Sequence, residues 1–172
     1  IARHLTKLVE DGSTLHLGVG ATANAILQAL SDKNDLGIHS RFMTDGMMQL
    51  VAKGVITNRK KGWNEGKCVA SSAIGTTNLY EFLHDNPSIE FHASDYVNNP
   101  YIIARHNKMI SIQVATIMDL TGQVAADARP QNLFSGVTGT LDFVRGAARS
   151  PGGKSIVLVP STSRDGKISR IM

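Results

Sequence analysis

The chain has 172 residues, 42% hydrophobic and 19% charged, enough apolar content for one well-cored globular domain and too much for a disordered tail. Its 18 Lys and Arg against 14 Asp and Glu leave a formal charge of +4, a weak bias toward anionic ligands, while 5% aromatic residues argue against a stacking platform for nucleic acid. The lone Cys68 excludes an internal disulfide framework and a CxxC zinc site, and no apolar run approaches the roughly 20 residues of a membrane helix, so a cytoplasmic protein without membrane contacts is expected.

Residues 2 to 10 place Ala2, Leu5, Leu8 and Val9 on one helical stripe; Asp11-Gly12 breaks it, and Leu15, Leu17 and Val19 alternate as in a strand. A helix follows from Thr22 to Leu30, then a strand over about Gly37 to Met43, a helix from Met47 to Lys53, a strand from Lys67 to Ala73, a helix from Asn78 to Leu83 and a strand from Ile89 to Ala93. Met109 to Leu120 is strand-like, Gly122-Gln123 marks a turn, and Val124 to Ala126 begins a return strand. A helix over Thr140 to Ala148, a loop at residues 150 to 153, a buried strand over Ser155 to Val159 and a hairpin turn at Asp165-Gly166 complete the chain. This alternation predicts one α/β domain over residues 1–172, an open, mostly parallel sheet flanked by helices, with a C-terminal antiparallel flap. The abrupt ends, Ile1 and Met172, read as those of an excerpt from a longer, two-domain polypeptide.

Gly18-Val19-Gly20-Ala21-Thr22-Ala23 fits GxGxxA between a predicted strand and a predicted helix. Glycines there permit a tight turn and close approach of a phosphate to backbone N–H groups at the helix start. With Asp45 near the end of the next strand, the loop would complete a dinucleotide-binding fingerprint; the alternative is a tight strand-to-helix connection without ligand. A second loop, Ser135-Gly136-Val137-Thr138-Gly139, precedes another helix and offers N–H groups to an anion or oxyanion, or is an ordinary helix entry.

The six histidines show no HxH or HxxxH spacing, so no metal site is expected. No GxSxG elbow occurs, and Ser71-Ser72 reads as close packing in a strand. Asp45, Asp95, Asp119, Asp127 and Asp142 lie near predicted strand ends, where each is a candidate carboxylate or a turn or helix cap.

An ordered series of segments, among them LVEDGSTLHLGVGA (8 to 21), LGIHSRFMTDG (36 to 46), IGTTNLYEFL (74 to 83), DYVNNP (95 to 100), SGVTGTLDFVRGAA (135 to 148) and GGKSIVLVPST (152 to 162), resembles the acetyl-CoA hydrolase/transferase family of class I CoA-transferases, which includes 4-hydroxybutyrate CoA-transferase. The resemblance runs through nearly the whole chain and places it in the second, catalytic domain. It implies attack of a glutamate carboxylate on an acyl-CoA thioester, an anhydride, a glutamyl-CoA thioester and release of CoA to a small carboxylic acid. It also implies CoA as substrate rather than tightly bound cofactor, and contacts from Gly18, Val19, Gly20, Ala21, Thr22, Gly136 and Gly139. The family carries its glutamate in a motif like HSEM; here the matching residues are His39-Ser40-Arg41-Phe42, so Arg41 occupies the nucleophile's position. A guanidinium stays protonated and forms neither anhydride nor thioester. Two other departures are Thr138, in a loop that resembles a GVGG pattern, and Gln113, where the family usually has asparagine.

The expected function is therefore an acyl-CoA:carboxylate CoA-transferase or acetyl-CoA hydrolase domain, with Asp45 or Asp127 as the base for water in the hydrolytic case. The alternatives are a catalytically silent acyl-CoA-binding domain, in which Arg41 pairs with a phosphate or carboxylate, and an NAD-binding dehydrogenase domain. The expected partners are the N-terminal half of the same polypeptide and further copies of the chain in a homo-oligomer.

Overall fold

In the computed structural model the chain begins with α1 (Ala2–Leu5) and a 3-10 turn (Thr6–Leu8), then alternates β1 (Thr14–Leu17), α2 (Ala21–Ala29), β2 (Gly37–Thr44), α3 (Asp45–Ala52), β3 (Cys68–Ile74), α4 (Thr77–Leu83) and β4 (Ile89–Phe91). Two single-turn helices, α5 (Ser94–Val97) and α6 (Pro100–Ile103), lead into β5 (Met109–Val114). The short strands β6 (Ile117–Met118), β7 (Val124–Ala125), β8 (Ala128–Arg129) and β9 (Asn132–Leu133) precede α7 (Thr140–Arg149) and β10 (Lys154–Leu158). The structure describes residues 1–126, 128–129, 132–133, 139–163 and 165–172, with backbone alone at 128–129 and 132–133.

Six strands pair in the order β10-β5-β1-β2-β3-β4, and every pairing is parallel. Parallel strands need crossovers on both faces, so the central ones are buried on both sides: β1 and the first half of β2 are buried at every position. Helices α1 to α4 cover one face through a core that includes Leu15, Leu17, Ile26, Leu27, Met43, Met47 and Leu79. On the other face, Val69 and Met109 pack with Val97, Ile103, Phe143 and Ala147 from α5, α6 and α7.

The chain leaves β1 for β2, β3 and β4 on one flank, then returns to place β5 on the other. That reversal makes the gap between the carboxyl ends of β1 and β5 a topological switch point, the place where open α/β sheets hold ligands.

Several local readings change in the tertiary setting. The predicted helix over residues 2 to 10 ends at Leu8, which is 46% exposed, because Val9 turns extended and is fully buried. The predicted strand over Met109 to Leu120 divides after Val114, and Ile117-Met118 turns back on Val124-Ala125 as an antiparallel hairpin. Asp119 closes that turn, its Oδ1 accepting from the N–H groups of Thr121 and Gln123. With antiparallel bridging of Thr162 to Ser169, the expected C-terminal flap is present. Helices α5 and α6 escape a periodicity analysis because one turn has no period; Asn99 caps α6 by accepting from the N–H of Tyr101 at 2.9 Å, with Pro100 in its first turn.

Within the basic run, Lys60 pairs with Asp35 in solvent while Lys61 is 1% exposed. Its ammonium donates to the carbonyls of Ile38 and Lys67, both at 2.7 Å, and its stem lies where a Cβ on Gly37 would be, 2.4 Å from Cγ. Burial pulls the pKa of Lys61 down to about 7.

Gly146 in α7 sits so close to α6 that a Cβ there would meet Ile103 Cγ2 at 2.4 Å and Cβ at 2.5 Å. Gly146→Ala is expected to cost about 1–3 kcal/mol through overpacking, despite alanine's better helix propensity. An unchanged urea midpoint would refute the close packing of α6 and α7.

Candidate functional site

A cavity of about 410 Å³ occupies the switch point. Gly18, Val19 and Thr22 form its β1 side, Ile112, Gln113 and Ala115 its β5 side, and Thr140 at the start of α7 closes it. The floor is apolar, with Leu17, Ala23 and Ile26, and Arg41 enters the wall from β2.

The glycine loop takes this course for local reasons. Gly20 is the N-cap of α2 at φ 108°, a conformation open to glycine and strained for other residues, and it supplies no side-chain cap. The first N–H groups of the nine-residue α2 thus lack an internal partner, the arrangement that favours an anion at a helix start. Gly18, by contrast, has no positive φ, and a Cβ on it would meet nothing within 4 Å.

Behind the cavity lies a buried network. Ser40 Oγ donates to the carbonyl of Leu17 at 3.1 Å, so it accepts from Nδ1 of His16 at 3.0 Å, and this fixes the Nδ1–H tautomer of His16. The His16 ring stacks on Phe143 of α7 at 3.6 Å between centroids. His39 Nε2 donates to the carbonyl of Val97 at 2.8 Å, and its ring lies 4.4 Å from that of His106. Burial holds all three imidazoles neutral: His39 is pulled down to about 3, His106 to about 2, and His16 well below its ordinary value, with Arg41 adding to the effect there. The network ties β1, β2, α5 and α7 together directly beneath residue 41.

A second cavity, of about 430 Å³, lies on the other side of Arg41. Ser71 and Ser72 of β3, His92, Ser94 and Asn98 line it with Arg41 and Phe42. Ser71-Ser72, read from sequence as close packing, belongs to this wall; a lone pair of serines in a strand carries no signal for that.

Of the residues singled out from sequence, Gly18, Val19, Thr22 and Arg41 meet at the first cavity. Ala21 begins α2, and Gly20 caps it. Gly139 caps α7, where a Cβ would lie 2.9 Å from Asn98 Cγ, beside the second cavity. Asp45 lines neither: its carboxylate accepts from the N–H of Thr76 at 3.2 and 3.1 Å and from the Thr76 hydroxyl at 2.7 Å, pinning the β3–α4 turn to α3. Asp127 and Gly136 lie outside the described residues. Among the described residues no cluster of His, Cys, Asp and Glu is arranged to hold a metal, and no helix is long and apolar enough to cross a membrane.

A family model, the acetyl-CoA hydrolase/transferase C-terminal domain, matches residues 75–172. The chain is 46% identical over 171 residues to the 4-hydroxybutyrate coenzyme A transferase of Clostridium kluyveri, a match covering 99% of this chain and 40% of that protein. It is 43% identical over 172 residues to the succinyl-CoA:cyclohexane-1-carboxylate CoA transferase of Geobacter metallireducens, covering 100% of this chain and 39% of that one. Among solved structures, RipA from Yersinia pestis superposes with a TM-score of 0.93 at 42% identity, over 99% of this chain and 39% of its own. The 4-hydroxybutyrate CoA-transferase of Porphyromonas gingivalis gives 0.89 at 41% identity, over 99% and 40%. The chain thus spans about two fifths of the length of the curated relatives it matches.

Proposed function

The chain belongs to the acetyl-CoA hydrolase/transferase family, as a C-terminal domain, and we propose that the whole protein transfers or releases CoA from short acyl-CoA thioesters held between β1 and β5. The observation that carries this reading is the cavity at the switch point, with a glycine loop and helix start on one side and the guanidinium of Arg41 in the wall. The N–H groups at the start of α2 receive a phosphate of CoA, and the apolar floor of Leu17, Ala23 and Ile26 takes the pantetheine arm or the acyl chain. Arg41 offers a fixed positive charge where a thioester carbonyl gathers negative charge under attack.

Arg41 itself takes no acyl group. In the hydrolytic variant Asp127 remains the candidate base for water, whereas Asp45 is committed to Thr76. The curated relatives' greater length supports a further domain in the whole protein that supplies another wall, and assembly of copies of the chain into a homo-oligomer in a cytoplasmic setting completes the reading.

Gly18→Val tests the placement of CoA, because its side chain would project into open space without backbone strain. Gly20→Val is a poorer probe, strained at φ 108°. In the full-length protein, calorimetry should show CoA affinity reduced by about tenfold or more in Gly18→Val, with thermal stability little changed. Equal affinity in a folded variant would remove CoA from this cavity.

A further inference from the structure

The face formed by α5, α6 and α7 carries charges that the fold itself does not use. Along α7, Leu141, Arg145, Ala148 and Arg149 are exposed, the i, i+4, i+7, i+8 spacing of one outward stripe. Arg145 and Arg149 stand one turn apart on it, where like charges repel. On the same face a recess of about 480 Å³ opens between α5, α6 and the start of α7, and its lining includes Asp95 and Asp142. Among the described residues, none of the ion pairs takes in Asp95, Asp142, Arg145 or Arg149. Arg105 nearby is committed, its guanidinium 4.3 Å from the centre of the Trp63 ring. Tyr101 joins the acidic and basic halves: it is 75% exposed, lines the recess and lies with its ring centre 5.9 Å from the Arg149 guanidinium.

Resting on the assembly of copies given under the proposed function, we propose that this face is where two copies of the chain meet, about a two-fold axis beside Tyr101, with Arg149 of each copy entering the acidic recess of the other. The charges select the occupant. A partner that matched only the recess would be basic, and one that matched only the stripe would be acidic. A second copy matches both at once, because the face sets Asp95 and Asp142 against Arg145 and Arg149. Such a contact is isologous: each residue that meets another across the axis is met by it in return. Asp142 and Arg149 stand at i and i+7 on α7, about 10 Å apart along its axis and on nearly the same side. Antiparallel pairing of α7 with its copy therefore sets Asp142 opposite Arg149 twice. The planar fork of a guanidinium engages carboxylates with paired hydrogen bonds. Tyr101 and Leu141, which is 54% exposed, supply the apolar centre of the contact, and tyrosine and arginine are residue types that anchor interfaces.

The experiment uses the full-length protein and the variants Asp142→Arg, Arg149→Asp and Tyr101→Ala, each checked for folding by circular dichroism, with mass followed by analytical ultracentrifugation over a concentration series. Wild type is expected to sediment as a dimer or a multiple of one. Asp142→Arg and Arg149→Asp each set like charges against one another at both contacts, so either is expected to weaken self-association by at least about 100-fold and to halve the mass. Mixed together, the two variants present opposite charges at both contacts and are expected to recover the wild-type mass, which a misfolded variant could not do. Tyr101→Ala trims a side chain that is exposed in the single copy, so it should weaken association by about tenfold with Tm unchanged. Wild type that stays monomeric at every concentration would defeat the assembly reading and this face with it. Wild type that assembles while both charge variants keep the full mass, or a mixture that does not recover it, would overturn this face and leave assembly standing.

Discussion

Arg41→Glu in the full-length protein is expected to raise acyl-CoA:acetate CoA transfer by on the order of 10²-fold or more, because it places an acylatable carboxylate where only a cation stands. The wild-type chain is expected to yield no covalent CoA adduct at residue 41. The buried supports of this position remain intact in the variant: Ser40 bonds to Leu17 and His16, and His16 stacks on Phe143. A glutamate introduced there inherits a fixed backbone, which is what orientation in covalent catalysis demands. Transfer is followed as new acyl-CoA and hydrolysis as free thiol, and borohydride trapping with mass spectrometry locates any glutamyl thioester. An inert Arg41→Glu would show that the site lacks more than its glutamate, and a wild-type adduct on another carboxylate, such as Asp127, would show that the nucleophile lies elsewhere.

Acidification is expected to unfold the protein well above the ordinary carboxylate range. His39, held to about 3, and His106, held to about 2, bind fewer protons folded than unfolded, and so does His16, held well below its ordinary value. The stability they permit is complete above about pH 6.5, and it falls as pH drops from there toward the folded values. Each ring contributes up to about 1.4 kcal/mol per pH unit, so three together remove about 4 kcal/mol per unit against a typical total of 5–15 kcal/mol. Circular dichroism should therefore show a cooperative midpoint near about pH 5. His39→Gln keeps a donor for the Val97 carbonyl and removes one titration, so the slope should shrink by about a third. A midpoint below about pH 4, or a slope unaffected by His39→Gln, would show that these rings are protonated inside the fold. Lys61 works in the same sense at higher pH: lowered to about 7 by burial, it favours unfolding below that value, and its penalty disappears as pH rises toward 10.5.

How much of this was legible in advance divides by distance along the chain. Helices α2, α3, α4 and α7 and the main strands follow from apolar spacing within a few residues, because helix and strand periods are properties of neighbouring side chains. Gly18 to Thr22 was legible for the same reason, since the turn, the cap and the helix start are consecutive. The ordered segments also pointed to the family, which the match over residues 75–172 bears out. Asp45, legible only as an acidic residue after a strand, turns out to hold Thr76, 31 residues away. Lys61 reads as part of a solvated basic run, yet Gly37 leaves a slot that draws its stem inside. The second cavity joins Arg41, Ser71, His92 and Asn98 from separate segments, and no local pattern links them. The sequence by itself determined the α/β class and the glycine loop, each written in adjacent residues. The tertiary structure alone decided which polar groups face a cavity, because parallel crossovers bring the carboxyl ends of distant strands to one edge of the sheet.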